Sequence, residues 1–150
     1  MSTGRFKVLV SGNHDWLFEK DYSLAKNLCQ YNNITYLEDS EATLGGLRIY
    51  GTPWQPWFYD WAFNLPRLGN ELHDKWAKIP IGTDILITHG PPNGYGDLVN
   101  NWRQPNVNVG CELLLNRIKC NSCGDVITSK HVHNFVTCKC GNCSTDGGTT

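Results

Sequence analysis

The first recognisable pattern is "FKVLVS", an almost unbroken run of apolar and β-branched residues stopped by Gly12. Unbroken apolar character predicts a strand covered on both faces. Tyr22 to Gln30 predicts a helix, because Leu24, Ala25, Leu28 and Cys29 fall on one side at helical spacing. "NITYLED" and "EATLGGLRIYG" predict short strands, with Gly45 and Gly46 as a tight turn between two of them. Leu68, Leu72 and Trp76 recur at i, i+4 and i+8, which predicts an amphipathic helix ended by Pro80. "DILITHGPP" repeats the opening grammar: an apolar strand, a His at its end, then Gly and Pro to stop it. Cys111, Leu114, Leu115 and Ile118 form a last helical stripe. Strands alternating with helices predict an α/β layered fold.

Two of these strands end in groups that bind ligands. "GNHD" places Asn13, His14 and Asp15 after the first, and His89 follows the later one. In α/β sheets ligands sit beyond the carboxyl ends of the strands, so Asn13, His14 and His89 can meet in one crevice. An amide oxygen and a neutral imidazole nitrogen suit a divalent cation, and a His followed by Asp can hold a proton for a leaving group. The plainer alternative is a turn, since Gly, Asn and Asp all favour turns. "TPWQPWFYDWAF" packs Trp54, Trp57, Phe58, Tyr59, Trp61 and Phe63 together. They can line a cleft where an apolar ring stacks, or pin a loop over the sheet.

Composition narrows the class. The chain has 150 residues, 40% apolar content and a net charge of −1, enough for one compact core with a small appendage. No apolar run approaches the roughly 18 to 20 residues of a membrane span, and "MSTGRFK" lacks a secretory h-region. A cytoplasmic, membrane-free protein is expected. Of seven cysteines, five crowd into Cys120 to Cys143, which reads as metal binding in a reducing compartment. Residues 119–150 contain no Leu, Trp or Tyr, so a boundary is expected near Ile118, with residues 145–150 as a frayed tail.

"GNHD" after one apolar strand and "ITHGPP" after another resemble the calcineurin-like metallophosphoesterases. "YLEDSEATLGGLRIYGTPWQPWFYDWAFNLPR" and "IPIGTDILITHGPPNGYGD" are similar to the branch of metallophosphoesterase-domain proteins, and the likeness runs from about Val8 to Ile118. The fold this implies over residues 1–118 is part of a β-sandwich of two mixed sheets flanked by helices. The resemblance also implies roles. Asn13 and His89 would bind one metal of a pair such as manganese, iron or zinc. His14 would sit beside the scissile phosphate as electrophile and general acid, with Asp15 orienting its imidazole. The implied reaction is metal-dependent hydrolysis of a phosphodiester.

The ligand set departs from that family's pattern. The family carries D-x-H and G-D ahead of G-N-H, but only seven residues precede the strand bearing "GNHD" here, and G-H-x-H is missing after T-H-G. The nearest pair, His131 and His133, lies in the cysteine-rich tail. Two neutral ligands leave the charge of two divalent cations unbalanced. The domain is therefore expected to be truncated at both ends, with an incomplete site and a tendency to self-associate.

The tail reads as a separate metal unit over residues 119–144. "CNSCG" supplies Cys120 and Cys123, and "CKCGNC" supplies a second pair from Cys138, Cys140 and Cys143. Four thiolates hold zinc tetrahedrally, and two such turns on facing hairpins make a zinc ribbon. A redox C-x-x-C is the alternative, but it opens a helix after a strand, whereas "GDVITSK" has strand character. "KCNSCGDVITSKHVHNFVTCKCG" resembles a small zinc-ribbon-like domain of unknown function, and that likeness favours Cys138 and Cys140. Arg117, Lys119, Lys130 and Lys139 against Asp125 and Asp146 give too small an excess to indicate nucleic acid. Two functions compete: a phosphoesterase acting on a phosphoester, and a non-catalytic interaction module that carries a phosphoesterase remnant on a zinc ribbon.

Overall fold

A computed structural model describes residues 6–100, 106–115, 117–119, 123, 125–128, 136–142 and 144–145. The chain begins with β1 (Val8–Leu9), α1 (Trp16–Lys20), α2 (Tyr22–Tyr31) and β2 (Thr35–Tyr36). β1 and β2 pair in parallel, Val8 with Thr35 and Leu9 with Tyr36, so the two helices form the crossover. Asp21 caps α2 by accepting the Leu24 N–H at 2.9 Å. Ala25 and Cys29 turn inward and pack with Tyr36, Leu9, Phe18 and Ile34. Leu24 and Leu28, on the predicted apolar face, stay 42% and 43% exposed.

β3 (Ser40–Leu44) and β4 (Leu47–Thr52) form an antiparallel hairpin, and β7 (Ile85–Thr88) joins β4 in parallel. The hairpin turn needs positive φ at both central residues, and Gly45 (+61°) and Gly46 (+84°) supply it. Between β4 and β7 come β5 (Gln55–Pro56), β6 (Asn64–Leu65) and α3 (Asn70–Ala77). Leu72 and Trp76 of α3 are buried with Tyr50, Ile79, Cys111 and Leu114 in the larger core. Leu68 lies before α3 and is 73% exposed, so the predicted stripe loses its first member.

The remaining elements are β8 (Leu98–Val99), β9 (Val107–Asn108), α4 (Glu112–Leu115), β10 (Arg117–Lys119), β11 (Val126–Thr128), β12 (Val136–Thr137) and β13 (Ser144–Thr145). The last predicted helix thus stops early: Ile118 belongs to β10, which pairs antiparallel with β11. "GDVITSK" does contain a strand. The architecture is mixed α/β, built from small sheets with few helices. Among the described residues no helix is long and apolar enough to cross a membrane.

One contact brings the β1-α1-α2-β2 segment against the β3-β4-β7 sheet. A Cβ on Gly51 would lie 2.4 Å from Leu37 Cβ and 2.7 Å from Val10 Cγ2. Only a residue without a side chain lets β4 approach that closely. The ends of β1 and β7 are thereby carried to one edge, where Asn13 and His89 emerge.

Candidate functional site

Asn13 and His89 meet although 76 residues separate them: His89 Nε2 stands 3.1 Å from Asn13 Oδ1. With its proton on Nε2 the imidazole donates to the amide oxygen. Gly12 makes room for the ring, since a Cβ there would lie 2.5 Å from His89 Cε1 and Nδ1. Part of the His89 ring reaches solvent, yet burial of the rest holds its pKa below the ordinary histidine value. Nearby Asp15 opposes that shift and His14 adds to it. The net effect favours the neutral imidazole, the form a metal ion needs.

"GNHD" is a turn as well as a ligand-bearing segment. Asp15 N donates to Gly12 O at 3.0 Å, and Asp15 Oδ2 accepts the Gly12 N–H at 2.7 Å. The Asp15 carboxylate thus closes the turn. The His14 ring packs against Trp61, 4.2 Å between centroids at 51°. Trp61 comes from the aromatic loop between β5 and β6, which Ala62 N ties to Asn13 O at 3.0 Å. Phe63 N donates to Glu19 Oε1 at 2.8 Å on the other side.

Both readings of the aromatic segment apply, to different residues. Trp54 and fully buried Phe63 stack edge to face at 5.4 Å and pin the loop. Asn64 gathers its tip, with Nδ2 donating to Tyr59 O at 2.6 Å and Oδ1 accepting from Gln55 Nε2 at 3.0 Å. Trp57 and Phe58 instead remain 57% and 44% exposed. They line a cleft of about 620 Å³ whose wall also includes Asn13, His89, Arg67 and Glu112. Arg67 secures that wall: Nη1 donates to Gly110 O (2.8 Å) and Glu112 Oε2 (2.9 Å), and Nη2 to Val109 O (2.9 Å). Arg67, Asn64 and Glu19 carry no sequence signal for these roles, because each acts on backbone groups that no pattern displays.

Three of the predicted thiol ligands come together in the tail. The Sγ atoms of Cys123, Cys138 and Cys140 all lie within 4.8 Å of one another, and Cys138 and Cys140 are 3.5 Å apart. Thiolates 2.3 Å from a tetrahedral zinc are separated by about 3.8 Å, so the donor set fits such an ion. Cys120, Cys143, His131 and His133 lie outside the described residues. Cys29 and Cys111 are buried elsewhere, and burial raises both thiol pKa values.

The chain is 44% identical over 135 residues to Metallophosphoesterase domain-containing protein 1 of Homo sapiens, an alignment covering 76% of this chain and 40% of that protein. The Mus musculus protein of the same name gives the same figures. UPF0046 protein T07D4.2 of Caenorhabditis elegans is 36% identical over 171 residues, covering 96% of this chain and 41% of that protein. These likenesses support the metallophosphoesterase branch. The chain spans about 40% of the length of these curated relatives. Residues 112–150 match a family described as a domain of unknown function, DUF7695.

Proposed function

We propose that the chain serves metal-dependent hydrolysis of a phosphodiester, contributing Asn13 and His89 as ligands to one divalent ion at the head of the cleft. The observation that supports this is the 3.1 Å approach of Asn13 Oδ1 to His89 Nε2. Two ligands about 2.1 Å from one ion and at right angles to each other stand about 3.0 Å apart. Bound there, manganese, iron or zinc would supply a water of lowered pKa and positive charge for the phosphoryl oxygens. His14, at the same turn, holds the proton for the departing oxygen. Trp57 and Phe58 offer apolar faces to the ester substituent. In residues 119–144 a separate structural zinc is held by Cys120, Cys123, Cys138 and Cys140.

Two neutral donors leave a divalent charge uncompensated, so turnover by this chain is slow. Hydrolysis of bis(p-nitrophenyl) phosphate in excess Mn²⁺ tests the reading. The expected rate lies below about 1 per second, under the usual enzyme range, and vanishes in His14→Ala and His89→Ala. A rate that does not respond to metal, or that survives both substitutions, would sink the proposal.

A further inference from the structure

We infer that Asp125 pre-assembles the cysteine cluster by holding the Cys138–Cys140 turn against the segment that carries Cys123. The inference rests on reading these thiols as a metal site. Asp125 stands two residues after Cys123, and Lys139 lies between Cys138 and Cys140. Lys139 N donates to Asp125 Oδ2 at 3.0 Å, across 14 residues of chain. The Lys139 ammonium also lies 3.4 Å from Asp125 Oδ1, but the Lys139 side chain is 82% exposed against 21% for Asp125. An exposed ammonium adds little. A backbone N–H bonded to a largely shielded carboxylate is the stronger and more directional contact.

The consequence concerns the free chain as well as the loaded one. Separate thiol pairs must be drawn together as the ion binds, at the expense of the chain's conformational freedom. Asp125 meets part of that cost before the ion arrives, because its carboxylate bridges the two ligand-bearing segments. It acts through Lys139 and is a positioning residue. Outer groups of this kind alter metal affinity by roughly 10- to 100-fold.

The test uses the full chain, with Zn²⁺ titrated against a chelator and Co²⁺ followed by its absorption. Asp125→Ala should weaken both metals at least tenfold and broaden the cobalt bands that report tetrahedral thiolate geometry, which a loss of stability elsewhere would not move. Asp125→Asn keeps an acceptor for the Lys139 N–H and should recover most of the affinity. Lys139→Ala keeps the backbone N–H and should stay within twofold of wild type. Asp125→Ala at wild-type affinity would overturn the inference, as would Asp125→Asn as weak as Asp125→Ala. Equal losses in Lys139→Ala and Asp125→Ala would overturn it too, by assigning the effect to the ion pair. A wild-type chain that binds neither metal would instead overturn the metal-site reading, and this inference with it.

Discussion

Gly12 and His89 are in such close contact that a single methyl group on Gly12 would fall 2.5 Å from the His89 ring. Gly12 precedes Asn13, so the residue that punctuates the first strand also sets where the imidazole sits against the amide. Gly12→Ala should swing the partly exposed His89 ring away from Asn13 at a cost of about 0.5–1.5 kcal/mol, that of a side-chain torsion forced off its rotamer. Chemical denaturation would give the stability change, and ring-proton NMR of His89 would show the displacement. Unchanged His89 resonances would mean that the ring has room the close contact denies it.

A second expectation concerns β7. Among the described residues it is an edge of the β3-β4-β7 sheet, and its successive residues Ile85 and Leu86, which point to opposite faces, are 40% and 41% exposed. An edge strand apolar on both faces invites pairing with another chain. The purified protein should therefore self-associate, and Leu86→Lys should reduce the association, as measured by light scattering across a concentration series. A monodisperse monomer at every concentration would show that the edge is protected.

These two cases show which parts of the fold and site were legible. The Gly45-Gly46 turn, the inward Leu72 and Trp76, and a His at the end of each apolar run are local signals, and each has a local physical cause. Ile118 continued a helical stripe, yet its segment pairs with Val126–Thr128, so strand pairing prevailed over periodicity. The pairing partner lies beyond any helical window, which is why spacing alone missed it. Asp15 reads from the sequence as an orienting group for His14, and its Oδ2 also accepts the Gly12 N–H, a turn contact that residue type alone does not display. Arg67 was invisible because its partners, Val109 O, Gly110 O and Glu112, are brought near only by the folded chain, and Asn64 because it bonds carbonyls of its own loop, which residue type does not display.

The pair formed by buried Tyr36 and half-buried Glu38 predicts a pH effect. Tyr36 O–H donates to Glu38 Oε2 at 2.6 Å and Ser11 Oγ lies 2.9 Å from the Tyr36 oxygen. Burial raises the Glu38 pKa, although the Tyr36 hydrogen bond opposes the shift. The native chain then holds this proton more tightly than the unfolded one. The Glu38 contribution to stability is fully present below the unfolded value of about 4.3 and is lost as pH rises through the folded value. Gln at this position cannot ionise and still accepts the Tyr36 hydrogen bond. Urea midpoints of wild type and Glu38→Gln should therefore converge at low pH and separate above it, in favour of Gln. A difference that stays flat from acid to neutral pH would contradict the assignment.

The last expectation separates the two metal sites by how tightly they hold metal. The thiolates of the tail carry the negative charge that Asn13 and His89 lack, and structural zinc sites contribute apparent binding free energies of about 10–16 kcal/mol in finger peptides. The cluster of Cys123, Cys138 and Cys140 is already gathered within 4.8 Å, so little rearrangement stands between the free and loaded forms. Purified without added metal and dialysed, the chain should keep one zinc. Cys120→Ser and Cys123→Ser should each remove it, whereas His89→Ala should leave the metal content unchanged. Elemental analysis of the three variants decides the matter. Two tightly held metals in wild type, with one lost in His89→Ala, would mean that the cleft holds its ion without further ligands, and that its weakness as a metal site is misjudged.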